Sequence, residues 1–123
     1  MRRSLLIYTS LRFVPLSVAW AFDESDLKKL QTLNECNKCD LSKADLSYAD
    51  SFKAKLSETK LLQANLKGTN LAGSHLYNVD LFKANLTGVD LTGASMKGAV
   101  LDGAVFCRTK TPWGEENSGC LIH

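Results

Sequence analysis

The sequence has almost no net charge to act with. Its 123 residues carry fifteen Lys and Arg against thirteen Asp and Glu. Arg2, Arg3 and Arg12 fall in a segment expected to be removed, which leaves twelve basic residues against thirteen acidic ones. A nucleic-acid binder needs a basic patch to neutralise phosphates, and an acidic mimic of nucleic acid needs the opposite excess. Neither is present. Histidine is scarce too: His75 and His123 are the whole complement, and nothing places a catalytic triad around either. The chain also lacks a glycine-rich phosphate loop, a metal-ligand motif and a nucleophile elbow. The expectation is a protein without catalytic residues, metal or cofactor, small enough for one domain.

What is present begins with an export signal. Arg2 and Arg3 supply a positive start, an apolar stretch follows, and Ala19-Trp20-Ala21 is a small-x-small cleavage site. Arg12 and Pro15 interrupt the apolar run. A permanent span is disfavoured, because it needs about 20 mostly apolar residues and a central Arg is costly. Residues 1–21 are therefore read as a cleaved signal peptide, with an uncleaved anchor as the alternative. All four cysteines, Cys36, Cys39, Cys107 and Cys120, follow the cut. An even count in a small exported domain suggests disulfides. Cys36 and Cys39 also form a C-x-x-C, which in a thiol-disulfide oxidoreductase would be the redox pair; the βαβ context for that reading is missing.

Residues 22–38 read as a helical cap. Asp23 or Ser25 can N-cap a short helix. Leu27, Leu30 and Leu33 recur every three residues, which predicts one apolar helical face acting as a lid.

From Cys39 to Arg108 the chain repeats every five residues, fourteen times without insertion or deletion. The middle residue is Leu in eleven units, from Leu41 to Leu101, with Ser51, Met96 and Phe106 as the exceptions. A small residue stands two before it, from Cys39 and Ala44 to Ala104. Asp or Asn commonly precedes it, and Gly often stands two after it, both being turn residues. A period of five fits neither a helix nor a strand. A coil of short straight sides and tight corners puts every leucine inside, and a strict short period is the mark of a solenoid.

Units such as Ala44-Asp45-Leu46-Ser47-Tyr48, Ala64-Asn65-Leu66-Lys67-Gly68 and Ala84-Asn85-Leu86-Thr87-Gly88 resemble the A(D/N)LXX signature of pentapeptide-repeat proteins. The resemblance implies an all-β solenoid, a right-handed quadrilateral β-helix over residues 39–108 with four units per coil. With coils about 4.8 Å apart, its shaft would be roughly 17 Å long. A short N-terminal α-helical cap closes one end. A capping tail, 109–123, follows, and Trp113 is expected to cover the far end beyond Phe106. Ser51 at an inward position should want a hydrogen-bond partner. In such a shaft the cysteine pairs lie at opposite ends. Disulfides need Cα atoms within roughly 7 Å, so Cys36–Cys39 and Cys107–Cys120 are the expected bridges. A zinc site built from all four is disfavoured, since its ligands must share one ion.

Twenty residues per coil would stack Leu62 beneath Phe82, with Tyr77 around the corner and Ser42 and Asp102 flanking. Exposed apolar clusters often mark contact sites, so Leu62, Tyr77 and Phe82 form the candidate interaction patch. The functional expectation is an exported, non-catalytic structural or protein-interaction module of unknown partner, binding no nucleic acid and keeping no membrane span after cleavage. A homodimer is left open. Its place would be the periplasm, or a thylakoid lumen in a photosynthetic source. The rivals are a DNA-mimicking topoisomerase inhibitor, known from the same family, and a thiol oxidoreductase acting through Cys36 and Cys39. Residues 39–108 carry eight basic and seven acidic residues, against the strong negative charge that mimicry requires.

Overall fold

The computed structural model describes residues 22–120. The signal peptide expected at 1–21 and the end of the tail, including His123, lie outside them. No helix among the described residues is long and apolar enough to cross a membrane.

Helix α1 spans Glu24–Leu33. Asp23 is its N-cap, with extended backbone and a carboxylate accepting from the amides of Ser25 (2.8 Å) and Asp26 (3.3 Å). These bonds, with the Ser25 hydroxyl bond as the largest contribution, hold the Asp23 carboxyl below the usual range. Asn34 ends the helix in the left-handed region (φ 55°), its N–H donating to the Leu30 carbonyl. Leu27 and Leu30 are buried and pack with Phe22 into the core, but Leu33 is 61% exposed. The three-residue spacing explains this correction. Each step of three falls about 60° short of a full turn, so by Leu33 the row has swung off the buried face.

The helix also closes the backbone at the first coil. Asp26 Oδ2 accepts from the Asp40 amide (2.8 Å), the Asp23 amide donates to the Asp40 carbonyl (3.0 Å), and Asn34 Nδ2 donates to the Phe52 carbonyl (2.9 Å).

From Glu35 to Lys110 the chain passes over itself every twenty residues. Parallel bridges join Glu35 to Lys55, Asp40 to Lys60, and so on to Asp90 with Lys110. In each unit up to Leu91 the middle N–H donates forward to the next coil, as Leu41 to the Lys60 carbonyl (2.8 Å). The residue before it donates back, as Lys60 to the Cys39 carbonyl (2.9 Å). Each bridge stands alone, because a turn closes every side after three extended residues. The expected all-β character is therefore carried by isolated bridges. The one ladder of longer strands among the described residues is the hairpin of β1 (Thr109–Thr111) and β2 (Gly114–Glu116).

Each turn is closed by a bond of the Ala44 N–H to Leu41 carbonyl type (3.1 Å), with a left-handed residue at its third position. The preceding Asp or Asn steadies it. Asp45 Oδ1 accepts from the Ser47 amide, and Asn65, Asp80 and Asn85 repeat the bond. The middle leucines from Leu41 to Leu91 are buried along one axis, together with the small residues of their units. Ser51 is buried among them. Threonines at small inward positions also keep their hydroxyls satisfied: Thr69 and Thr109 donate to the Leu46 and Leu86 carbonyls at 2.7 Å.

Glycine at the third turn position has a second cause besides its positive φ. A Cβ on Gly68 (φ +68°) would lie 2.5 Å from two ring carbons of Tyr48 in the coil before. Asn78 lies over Gly98 in the same way. Gly68→Ala should cost about 1–2 kcal/mol for the left-handed backbone, plus the displacement of Tyr48. A Tyr48→Ala background should remove only the second part. Equal losses in both backgrounds, measured by denaturant melts, would refute the contact.

The far end is less well closed. Met96, Ala99, Leu101, Ala104 and Phe106 are only partly buried. Trp113 does not cover them: it is 56% exposed, its indole N–H directed to Glu116 Oε1 at 3.2 Å. The hairpin turn holds it outside, since residues 112 and 113 project beyond the β1–β2 pair.

Candidate functional site: the outer wall

The corners of the coil carry the chemistry, because every inward position is taken by packing. Backbone bonds from Lys43 to the Leu62 carbonyl (2.8 Å), Gln63 to Phe82 (2.8 Å) and Lys83 to Asp102 (2.9 Å) place Ser42, Leu62, Phe82 and Asp102 in one column. Tyr77 stands at the neighbouring corner, below Lys97. Tyr77 and Phe82 thus sit at the two ends of the side formed by residues 79–81.

Leu62 is half-buried, while Phe82 and Tyr77 are 37% and 46% exposed. The Lys83 ammonium lies 5.2 Å from the Phe82 ring centroid, within cation–π range. Two further exposed aromatics, Tyr48 and Phe52, occupy the other two corners. Lys53 lies over Phe52 at 5.3 Å. Sequence reasoning passed over both, although Phe52 follows Ser51 as Phe82 follows Leu81. The rule that found Phe82 applies equally to Phe52, since Ser51 is inward like Leu81.

Between the aromatics the wall is polar and of mixed sign. Lys60 bridges to Asp40 below and Asp80 above. Lys55 pairs with Glu35 at 3.5 Å, both about half exposed, a contact worth little in water. His75 stands outward above Lys55. Asp90 is held below the usual carboxylate range, first by the Thr92 hydroxyl and then by its amide.

The cysteines are joined as Cys36–Cys39 and Cys107–Cys120, with Cα separations of 5.3 and 4.8 Å. Cys36 and Cys39 are buried, at 0% and 4% exposure. The carboxylate of Asp26 lies within 4.8 Å of both sulfurs. With each sulfur bonded to the other, this trio presents a covalent link rather than two thiolate ligands or a nucleophile.

The sequence matches the family model for pentapeptide repeats, in eight copies, over residues 52–88 and 84–110. No curated protein sequence matches the chain. Among solved structures, a pentapeptide repeat protein from Nostoc PCC 7120 is 30% identical, over 70% of this chain and 78% of that one, with a TM-score of 0.41. A pentapeptide repeat protein from the Arabidopsis thaliana thylakoid lumen is 26% identical, over 62% and 68%, with a TM-score of 0.42. HetL of Nostoc sp. strain PCC 7120, involved in heterocyst differentiation regulation, is 25% identical, over 72% and 51%, with a TM-score of 0.33.

Proposed function

Because the chain belongs to the pentapeptide-repeat family, we propose that it is an exported, non-catalytic scaffold that holds a protein partner against its outer wall. We read the stack as a right-handed quadrilateral β-helix, a reading supported by the unbroken twenty-residue bridges. The observation that carries the functional proposal is the wall itself. Inside the stack the backbone of each corner is fixed by bonds to the coils on either side, so the wall presents its side chains from a rigid backbone at set spacing. Such a surface can recognise another rigid surface without ordering loops on binding.

Leu62, Tyr77 and Phe82 form the contact patch in this reading, and the Lys83 stem extends its apolar area. The mixed charges around it would set orientation more than affinity. The periplasm is the proposed location, or a thylakoid lumen in a photosynthetic source. Three observations support export: the Arg2-Arg3 leader pattern, two joined cysteine pairs, and a relative from a thylakoid lumen.

Cross-linking in intact cells, followed by mass spectrometry, tests location, processing and partner together. Phe82→Glu should remove the cross-linked partner while leaving the melting temperature unchanged. A partner recovered equally well with Phe82→Glu and Tyr77→Glu would refute the patch. A chain found in the cytoplasm with residues 1–21 intact would refute export.

A further inference from the structure

The two ends of the stack are closed differently. At the first coil the groups of α1 bond to the backbone rim, as described. At the last coil the side formed by residues 99–101 has no such cover. The Leu101 N–H and the Ala99 carbonyl, which in every earlier coil would bond to the next, have no partner among the described residues. Val100 lies between them, 42% exposed. Outward bridging positions in earlier coils hold Asp, Asn, Lys, Glu, His or Ser. An unpaired apolar edge of this kind is a template for another chain.

We propose that the partner of this edge is a second copy of the same chain, paired antiparallel about a two-fold axis at Val100. The backbone polarity supports this occupant. Val100 itself bonds backward, its N–H to the Val79 carbonyl and its carbonyl to the Leu81 N–H. A self-pair at Val100 is therefore of the non-hydrogen-bonded kind. In that pair the flanking groups exchange bonds, the N–H of residue 101 going to the carbonyl of residue 99 on the other strand, twice. These are the two groups left open on this side; the Met96 N–H and Ala94 carbonyl are open on the neighbouring side, but there the residue between them is the polar Ser95 rather than a valine. The valines then face each other at the closer of the two ladder spacings.

Charge points the same way. Lys97 and Asp102 occupy the corners on either side of Val100. The two-fold brings Lys97 of each copy beside Asp102 of the other, whereas a foreign strand would have to supply both signs in this order. The hairpin β1–β2 rises on the opposite side of the rim, so contact follows one side rather than the whole end. The small interface belongs to the weak, transient class below about 1,200 Å².

Sedimentation velocity of the full chain, from micromolar to near-millimolar concentration, should show a monomer–dimer equilibrium. Val100→Asp places two carboxylates across the axis and should weaken dimerisation at least tenfold. Lys97→Glu should weaken it as well, and Lys97→Glu/Asp102→Lys should restore it. These side chains are exposed, so melts should confirm intact folding. Val100→Cys should form an intermolecular disulfide joining residue 100 to residue 100, since the expected Cα spacing suits one. Val105→Cys should not, because the tail at Gly119 packs on that side. A chain that stays monomeric throughout, or a dimer that survives Val100→Asp, overturns the proposal. Association through residues 1–21 would survive that substitution and so counts against it. The outcome is independent of the wall patch, whose substitutions lie elsewhere.

Discussion

Removing one residue from the stack should damage the protein far more than removing five or twenty. Deleting Ser57 removes a corner residue of one coil, and the bonds that tie the flanking sides to their neighbours lose register. These include Lys38 N–H to the Ser57 carbonyl, Leu56 N–H to His75 and Glu58 N–H to Tyr77, at 2.7–2.9 Å. Each buried backbone group left unpaired costs about 1–3 kcal/mol. Several together approach the whole stability of a small domain, about 5–15 kcal/mol. Deleting 61–80 removes one full coil and rejoins Lys60 to Leu81, so every remaining side meets an equivalent side. Deleting 61–65 turns the far end by a quarter relative to α1 but keeps all leucines inward. Thermal melts followed by circular dichroism should show cooperative transitions for the two longer deletions, lowered by the lost core, and none for the single one. A single deletion that melts like the intact chain, or a twenty-residue deletion that fails to fold, would show that the twenty-residue register does not hold the molecule together.

Replacing both Cys107 and Cys120 by Ser should be the most destabilising change that leaves the core untouched. The bridge spans thirteen residues, and closing a loop of that length is worth about 3 kcal/mol by the chain-entropy estimate. For a domain of this size that corresponds to roughly 10–20 °C in melting temperature. The loss reaches the coil because the hairpin is part of it: the Leu91 N–H donates to the Lys110 carbonyl, and Asp90 bridges Lys110. Hydrogen exchange should rise first in residues 107–120 and then in the last coil. The Cys36–Cys39 bridge closes a loop of only three residues, so by the same estimate replacing both cysteines by Ser costs less. Equal melting temperatures for the intact chain and the Cys107/Cys120 variant would show that the hairpin is held without its bridge.

The candidate site was legible only in part. Leu62 and Phe82 share a column because they lie twenty residues apart, each one residue after an inward leucine, and that could be counted along the chain. The stacking of Tyr48 on Gly68 could not, since it joins residues twenty apart through one ring rotamer. Leu33 and Trp113 were misplaced for a common reason. Both are large apolar residues at the margins of the repeat, where the five-residue rule no longer fixes direction. At Leu33 helical drift decides, and at Trp113 the geometry of a hairpin turn does.

The sequence by itself determined the inside of this protein. Five residues per unit, with a large residue in the middle, a small one two before it and turn formers between them, allow a single arrangement that turns every middle leucine inward. Those choices depend on near neighbours, so they can be read locally. Only the tertiary structure decided how the ends are treated. The α1 cap meets the first rim with Asp26 and Asn34, while Ala99 and Leu101 keep open backbone groups at the last. An end has a coil on one side only. What meets its other side depends on how distant parts of the chain fold back, and no local period encodes that.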